Sequence, residues 1–163
     1  MKNQMNAWAL APNAPGLFVG ASIVGALALQ HLLGWQPCPL CILQRLSSLA
    51  LLLALLLWRP TGARKGFLFL AGLATLAGVA AAGAHLYLLW TPQTASCGPG
   101  LALTVAKVVD AMPLGAWFLE GAGACEDARY NVLGLPLPLW SLAVHVAATG
   151  WAFWLQKRSS SAA

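Results

Sequence analysis

The chain has 163 residues, of which 60% are hydrophobic and only 8% charged, with a mean hydropathy of +0.73. That composition excludes an ordinary soluble domain and marks an integral membrane protein with room for one compact unit. The net charge of +5 is not gathered into a basic, aromatic-interleaved stripe, so no nucleic-acid partner is expected and the surplus reads as an orientation signal.

Residues 1–15 contain Pro12, Pro15 and one base, Lys2, and read as a short tail. Gly16 to Gly34 is apolar and uncharged, long enough at about 1.5 Å per residue to cross a hydrocarbon core of roughly 30 Å. It reads as a retained helix rather than a cleaved signal peptide. Ala26-Leu27-Ala28 resembles a cleavage site, but apolar character continues to Leu33 and the preceding flank is only weakly basic. A second run, Pro39 to Trp58, is dominated by leucine after Arg45. Arg59, Arg64 and Lys65 then surround a tight Pro60-Thr61-Gly62 turn. The third run, Gly66 to Trp90, is rich in Ala and Gly, which let membrane helices approach closely. The fourth goes from about Leu137 to Leu155 and stops at Lys157 and Arg158. Between the last two, Leu101, Val105, Val108, Val109 and Met112 recur at helical spacing with Lys107 and Asp110 opposite. That pattern predicts a short amphipathic helix, either lying in the membrane surface or packed on the protein.

The expected fold is an all-α membrane protein: a four-transmembrane-helix bundle forming one domain, with spans at about 16–34, 39–58, 66–90 and 137–155 and outer loops 35–38 and 91–136. Lys2, Arg59, Arg64, Lys65, Lys157 and Arg158 then share one side, which the positive-inside rule makes cytoplasmic along with both termini. The outer side receives all four acidic residues, Asp110, Glu120, Glu126 and Asp127, and the four cysteines lie on or near it. Trp35, Trp90 and Trp140 would mark the outer interface, Trp58 and Trp154 the inner one.

The chemistry concentrates in Cys38-Pro39-Leu40-Cys41-Ile42-Leu43-Gln44-Arg45. Pro39 suits a first helical position, which makes Cys38 the N-cap and sets Cys41 one turn inside, where the helix N-terminus favours thiolate. Arg45 is four residues beyond Cys41 and on the same face. A cation there either snorkels to the headgroups or has a function. Cys97 and Cys125 complete an even set. They lie 28 positions apart without a second Cys-x-x-Cys, so a zinc ribbon is a poor match and no metal is expected. Ile42 excludes a c-type haem motif. Two structural disulfides in a non-catalytic membrane protein or docking module remain the alternative, although closure of so short a Cys-x-x-Cys loop removes little chain entropy. Two pairs on one side suggest a relay from a soluble outer partner to an acceptor reachable from the bilayer. A lipid-soluble quinone fits, with Arg45 stabilising negative charge on its oxygen.

With Cys-x-x-Cys-x-x-x-Arg opening the second of four spans, a cysteine pair in the last outer loop, and Leu133-Gly134-Leu135-Pro136 running to Trp140, the chain resembles the DsbB family from Gly16 to Trp154. Members are bacterial inner-membrane thiol-quinone oxidoreductases that reoxidise the periplasmic dithiol oxidase DsbA. The resemblance implies a periplasm-facing site, a DsbA-like partner, and ubiquinone or menaquinone as cofactor; a monomer is expected, though the sequence does not fix the oligomeric state. It also implies roles: Cys97 takes the partner's attack, Cys125 is its mate, Cys38 exchanges with Cys125, and Cys41 contacts or transiently adds to the quinone. Arg45 matches the quinone-site arginine, and His85 looks like a histidine beside it, or else is a hydrogen-bonded interfacial residue. His31 and His145 read as packing or interface residues. Whether the resting pairs are 38–41 with 97–125, or a 38–125 intermediate, stays open. Two departures stand out: Gln44 occurs where some members are acidic, and Tyr130 where a tryptophan can occur.

Overall fold

The computed structural model describes residues 13–58, 64–91, 99–111, 125 and 129–161. Cys97, Lys2, Arg59, Met112, Glu120, Glu126, Asp127 and the Gly121–Ala124 stretch lie outside them.

Helix α1, Ala14–Leu33, carries Pro15 in its first turn and ends at Gly34, whose φ of 67° is left-handed and open to glycine without a Cβ penalty. Helices α2, Pro39–Leu57, and α3, Arg64–Trp90, follow, then the shorter α4, Pro99–Asp110. A two-residue hairpin, β1 (Asn131–Val132) and β2 (Leu135–Pro136), leads into α5, Leu137–Ser161. Among the described residues, Ala14–Leu33, Pro39–Leu57 and Gly66–Trp90 are long and apolar enough to cross a membrane. Helix α5 has 25 residues, but Trp140, Ser141, His145, Thr149, Trp151 and Trp154 lower its hydropathy.

The long helices pack in a ring, α2 between α1 and α3, with α5 against α3 and α1. Val19, Ile23, Leu51, Leu55, Ala71 and Ala148 fill the centre. Leu32, Leu53, Phe69, Leu76 and Phe153 point outward and are exposed. So much outward apolar surface suits a hydrocarbon surround rather than water.

The interior also has a polar layer. His145 is fully buried. Its Nδ1 donates to the Ser141 carbonyl at 2.8 Å, and its Nε2 lies 3.1 and 3.4 Å from the Ser47 and Ser48 hydroxyls. Thr75 and Thr149 hydroxyls bond across α3 and α5 at 2.5 Å. Gly78 makes room for this layer: a Cβ there would run into the His145 ring, so no side chain fits without displacing the imidazole. His145 is thus a hydrogen-bonded packing residue, and His31 is exposed at the end of α1.

Helix α4 packs on α2, with Val105 buried against Ile42 and Leu101 and Val109 half-buried beside them. Val108, expected on the same apolar face, is instead 40% exposed, because the contact with α2 covers a narrower stripe. Trp58, expected at an interface, is buried in the central core at the C-terminus of α2. Trp90, Trp140 and Trp154 are exposed, and the Arg158 guanidinium stacks 4.0 Å over the Trp154 ring.

The hairpin pairs Asn131 with Pro136 and Val132 with Leu135. Its turn residues Leu133 and Gly134 have φ of 52° and 79°, the handedness that matches strand twist. Strands of two residues are too short to show period-two alternation, so an all-α reading passes over them. Trp140 Nε1 donates to the Val132 carbonyl at 3.0 Å, tying the hairpin to α5.

Candidate dithiol site

Cys38 is the N-cap of α2, with extended backbone angles of −86° and 168°, and Pro39 follows where a missing N–H costs no helical bond. The Cys38 Sγ accepts from the Cys41 N–H at 3.4 Å and lies 3.1 Å from the Cys41 Sγ. Both are free thiols here. The Cys38 thiol is lowered from its ordinary 9.0 to about 5, chiefly by the hydrogen bond from the Cys41 side chain, with help from His85 and against burial. Cys38 is therefore the acidic member of the pair, with Cys41 S–H as its donor.

His85, on α3, is 1% exposed and spans the two sulfurs: Nε2 is 3.9 Å from Cys38 Sγ and Nδ1 is 3.7 Å from Cys41 Sγ. Cys125 is buried and disulfide-bonded, and it packs with Cys38, Leu40 and Leu88 in one cluster. The fold thus brings together Cys38, Cys41, His85 and Cys125. Cys97 falls outside the described residues.

Beside the dithiol lies a cavity of about 270 Å³ bounded by α1, α2, α5, the 35–37 connection and the hairpin, with His85 from α3. Ile23, Ala26, Leu29, Trp35, Leu137 and Val144 give it apolar walls. Cys41, Gln44, Arg45 and His85 give it polar groups on one side. Arg45 is fixed by α1, donating to Gln30 Oε1 and, at 3.3 Å, to the Ala26 carbonyl. Gln44 is buried, and its Nε2 has no hydrogen-bond partner among the described residues. A buried donor left unpaired is costly and marks a place where a ligand acceptor would fit.

Three contacts around the site depend on how elements pack: Gln30 with Arg45, Trp35 with Tyr130, and Tyr130 with the Gln36 backbone. Gln30 was visible as a polar residue near the end of an apolar span, but its pairing with Arg45 depends on how α1 packs. Trp35 and Tyr130 stack at a centroid distance of 4.6 Å and an angle of 9°. The Tyr130 hydroxyl accepts from Gln36 N–H at 3.0 Å and donates to its carbonyl at 3.3 Å, so it clamps the connection that ends at Cys38.

The acidity of Cys38 has a pH signature. In the fully reduced protein, ultraviolet thiolate absorbance is expected to rise by one thiolate per chain with a midpoint near 5, and Cys38→Ser should remove that step. Because the folded value is depressed, the stabilisation of the reduced, folded state is complete above about 9 and is lost as pH falls through about 5. A first thiolate appearing only near the ordinary value would contradict the hydrogen-bonded pair.

Helices able to cross a membrane, with a buried vicinal dithiol beside a mostly apolar cavity, define a membrane protein with a site suited to thiol-disulfide exchange. The family model for disulfide bond formation protein DsbB matches residues 10–155. The disulfide bond formation protein B of Acinetobacter baumannii is 44% identical over 141 residues, covering 78% of this chain and 80% of its own. The protein of that name from Chromobacterium violaceum is 34% identical over 157 residues, covering 87% and 91%. No solved structure matches. The chain belongs to the DsbB family.

Proposed function

We propose that this protein is a thiol:quinone oxidoreductase that reoxidises a DsbA-like periplasmic dithiol protein and passes the electrons to a membrane quinone. The observation that carries the reading is a chain of contacts from Cys125, packed with Cys38, through Cys41 and His85 to a cavity that Arg45 and the Gln44 amide also line.

The cavity fits a quinone ring: its walls are apolar, its size suits one ring, and Gln44 and Arg45 offer donors to carbonyl oxygens. A bound quinone supplies a two-electron, two-proton acceptor. Ubiquinone and menaquinone share the dione that these donors would recognise. In the chain itself, reduced partner attacks the Cys97–Cys125 disulfide at Cys97 and releases the Cys125 thiolate. Cys125 attacks the Cys38–Cys41 disulfide at Cys38, which is packed against it, and Cys41 leaves as thiolate beside the cavity. While Cys38 is held in that mixed disulfide it cannot compete for negative charge, so the charge passes to Cys41. His85 is within reach to hold a proton at either sulfur.

The alternative, a docking module with two structural disulfides, gives no role to a buried imidazole across the dithiol or to an unpaired donor in the cavity. The test follows quinone absorbance after reduced donor is added to full-length protein. Quinone reduction that depends on the protein supports the reading, and its absence with every thioredoxin-fold donor tried would sink it.

We also infer that α5 crosses the membrane as a fourth span, in the inner membrane, with both termini cytoplasmic and the dithiol end periplasmic. Reporter fusions at Thr61 and after Ser161 should report one side and a fusion at Ser96 the other. A C-terminal reporter on the Ser96 side would leave only three crossings.

A further inference from the structure

The Cys38, Cys41 and His85 ligand atoms lie within 4.8 Å of one another, and all three side chains are buried or half-buried. We propose that the reduced Cys38-Cys41-His85 triad binds one soft divalent cation of the zinc class, through two thiolate sulfurs and one imidazole nitrogen.

The distances are close to what such an ion requires. With zinc-sulfur bonds near 2.3 Å and zinc-nitrogen bonds near 2.0 Å, tetrahedral coordination sets sulfurs about 3.8 Å apart and sulfur to nitrogen about 3.5 Å. Here the sulfurs are 3.1 Å apart and the His85 ring lies across them, Nδ1 3.7 Å from Cys41 Sγ and Nε2 3.9 Å from Cys38 Sγ, so one ring nitrogen and both sulfurs lie within 4.8 Å of one another. A rotation of the imidazole that turns one nitrogen toward both sulfurs, with shifts of roughly 1 Å, completes the three-ligand set. Two thiolates neutralise the ion, which matters where solvent is scarce. Cys41 and His85 both line the cavity, so the fourth coordination position can be taken by a small ligand there. This donor set, Cys₂His from two helices, differs from the four-cysteine ribbon that the sequence disfavours.

The site is gated by redox state. Once Cys38 and Cys41 are joined, neither sulfur is a thiolate and the ion has no anionic ligand. Conversely, a bound ion occupies both sulfurs and halts exchange with Cys125. A soft cation would therefore hold the protein in its reduced form. The proposal uses the dithiol of the redox reading but needs only reduced thiols and the imidazole, so it can fail while that reading stands.

The test uses full-length protein in detergent, reduced with a phosphine and freed of it anaerobically, and titrated with Co²⁺ as a spectroscopic probe. One equivalent should give thiolate-to-cobalt absorption that Zn²⁺ bleaches. His85→Ala should weaken binding at least ~10-fold, since even outer-shell partners of a metal ligand cost that much. The Cys97→Ser/Cys125→Ser double variant should retain the absorption, and the oxidised protein should lack it. Absence of the band in reduced wild type, an equal band in oxidised protein, or loss of the band in the double variant would overturn the site. Wild type gives an independent reading: Zn²⁺ should shield Cys38 and Cys41 from maleimide, as read by peptide mass spectrometry, and unshielded labelling would also overturn it.

Discussion

Cys41→Ser is expected to lower protein-dependent quinone reduction by at least ~10³-fold, the scale on which loss of a reacting nucleophile is felt. Cys41 lines the cavity, whereas Cys38 is fully buried on the far side of the pair, against Cys125. In the proposed reaction the two thiols would then have divided tasks, Cys38 toward the disulfide that would bring electrons in and Cys41 toward the cavity where they would leave. Serine at position 41 should also remove the main hydrogen bond that keeps Cys38 acidic, so the thiolate step near pH 5 should move upward. It leaves Cys38 as a lone thiol, so no Cys38–Cys41 disulfide exists to take electrons from Cys125. Reduced donor should then open the Cys97–Cys125 disulfide once and stop there, leaving Cys97 and Cys125 as thiols, detectable by alkylation and peptide mapping. Turnover within ~10-fold of wild type would remove Cys41 from the electron path.

Much of this site could be read from the residues alone, and the reasons are local. Pro39 after Cys38 encodes a helix start, and a four-residue offset encodes a shared face for Cys41 and Arg45; both depend only on helical geometry. The apolar runs that became α1, α2 and α3 are legible because hydropathy over some 20 residues needs no knowledge of partners. What stayed hidden depends on packing between elements. The bond from Arg45 to Gln30, the stack of Trp35 on Tyr130, and the burial of Trp58 come from how helices and connections meet. The unpaired Gln44 amide is of the same kind: the sequence marks it only as a departure from the family, while its importance lies in facing a cavity without a partner. Helix α5 shows the opposite limit. Its polar residues lower its hydropathy, yet His145 and Thr149 are satisfied inside the bundle and would not meet lipid.

Arg45→His should raise the apparent KM for quinone while lowering kcat much less. The guanidinium is held by the Gln30 side chain and the Ala26 carbonyl, so its place at the cavity is set before any ligand arrives. Hydrogen bonds to a charged group contribute about 1.5–3 kcal/mol, which corresponds to roughly a 10- to 150-fold change in affinity. Histidine is shorter and cannot span from α2 to Gln30 and still reach the cavity. Gln30→Ala tests the same point without touching the charge: if Gln30 acts by orienting Arg45, it should raise KM in the same direction by a smaller factor. A purely structural Arg45 would give a different result, with unfolding in detergent at lower temperature and an unchanged KM in the folded fraction. The helix face shared by Cys41 and Arg45 has functional meaning only if the first pattern is found, because a snorkelling arginine has no reason to discriminate among quinones.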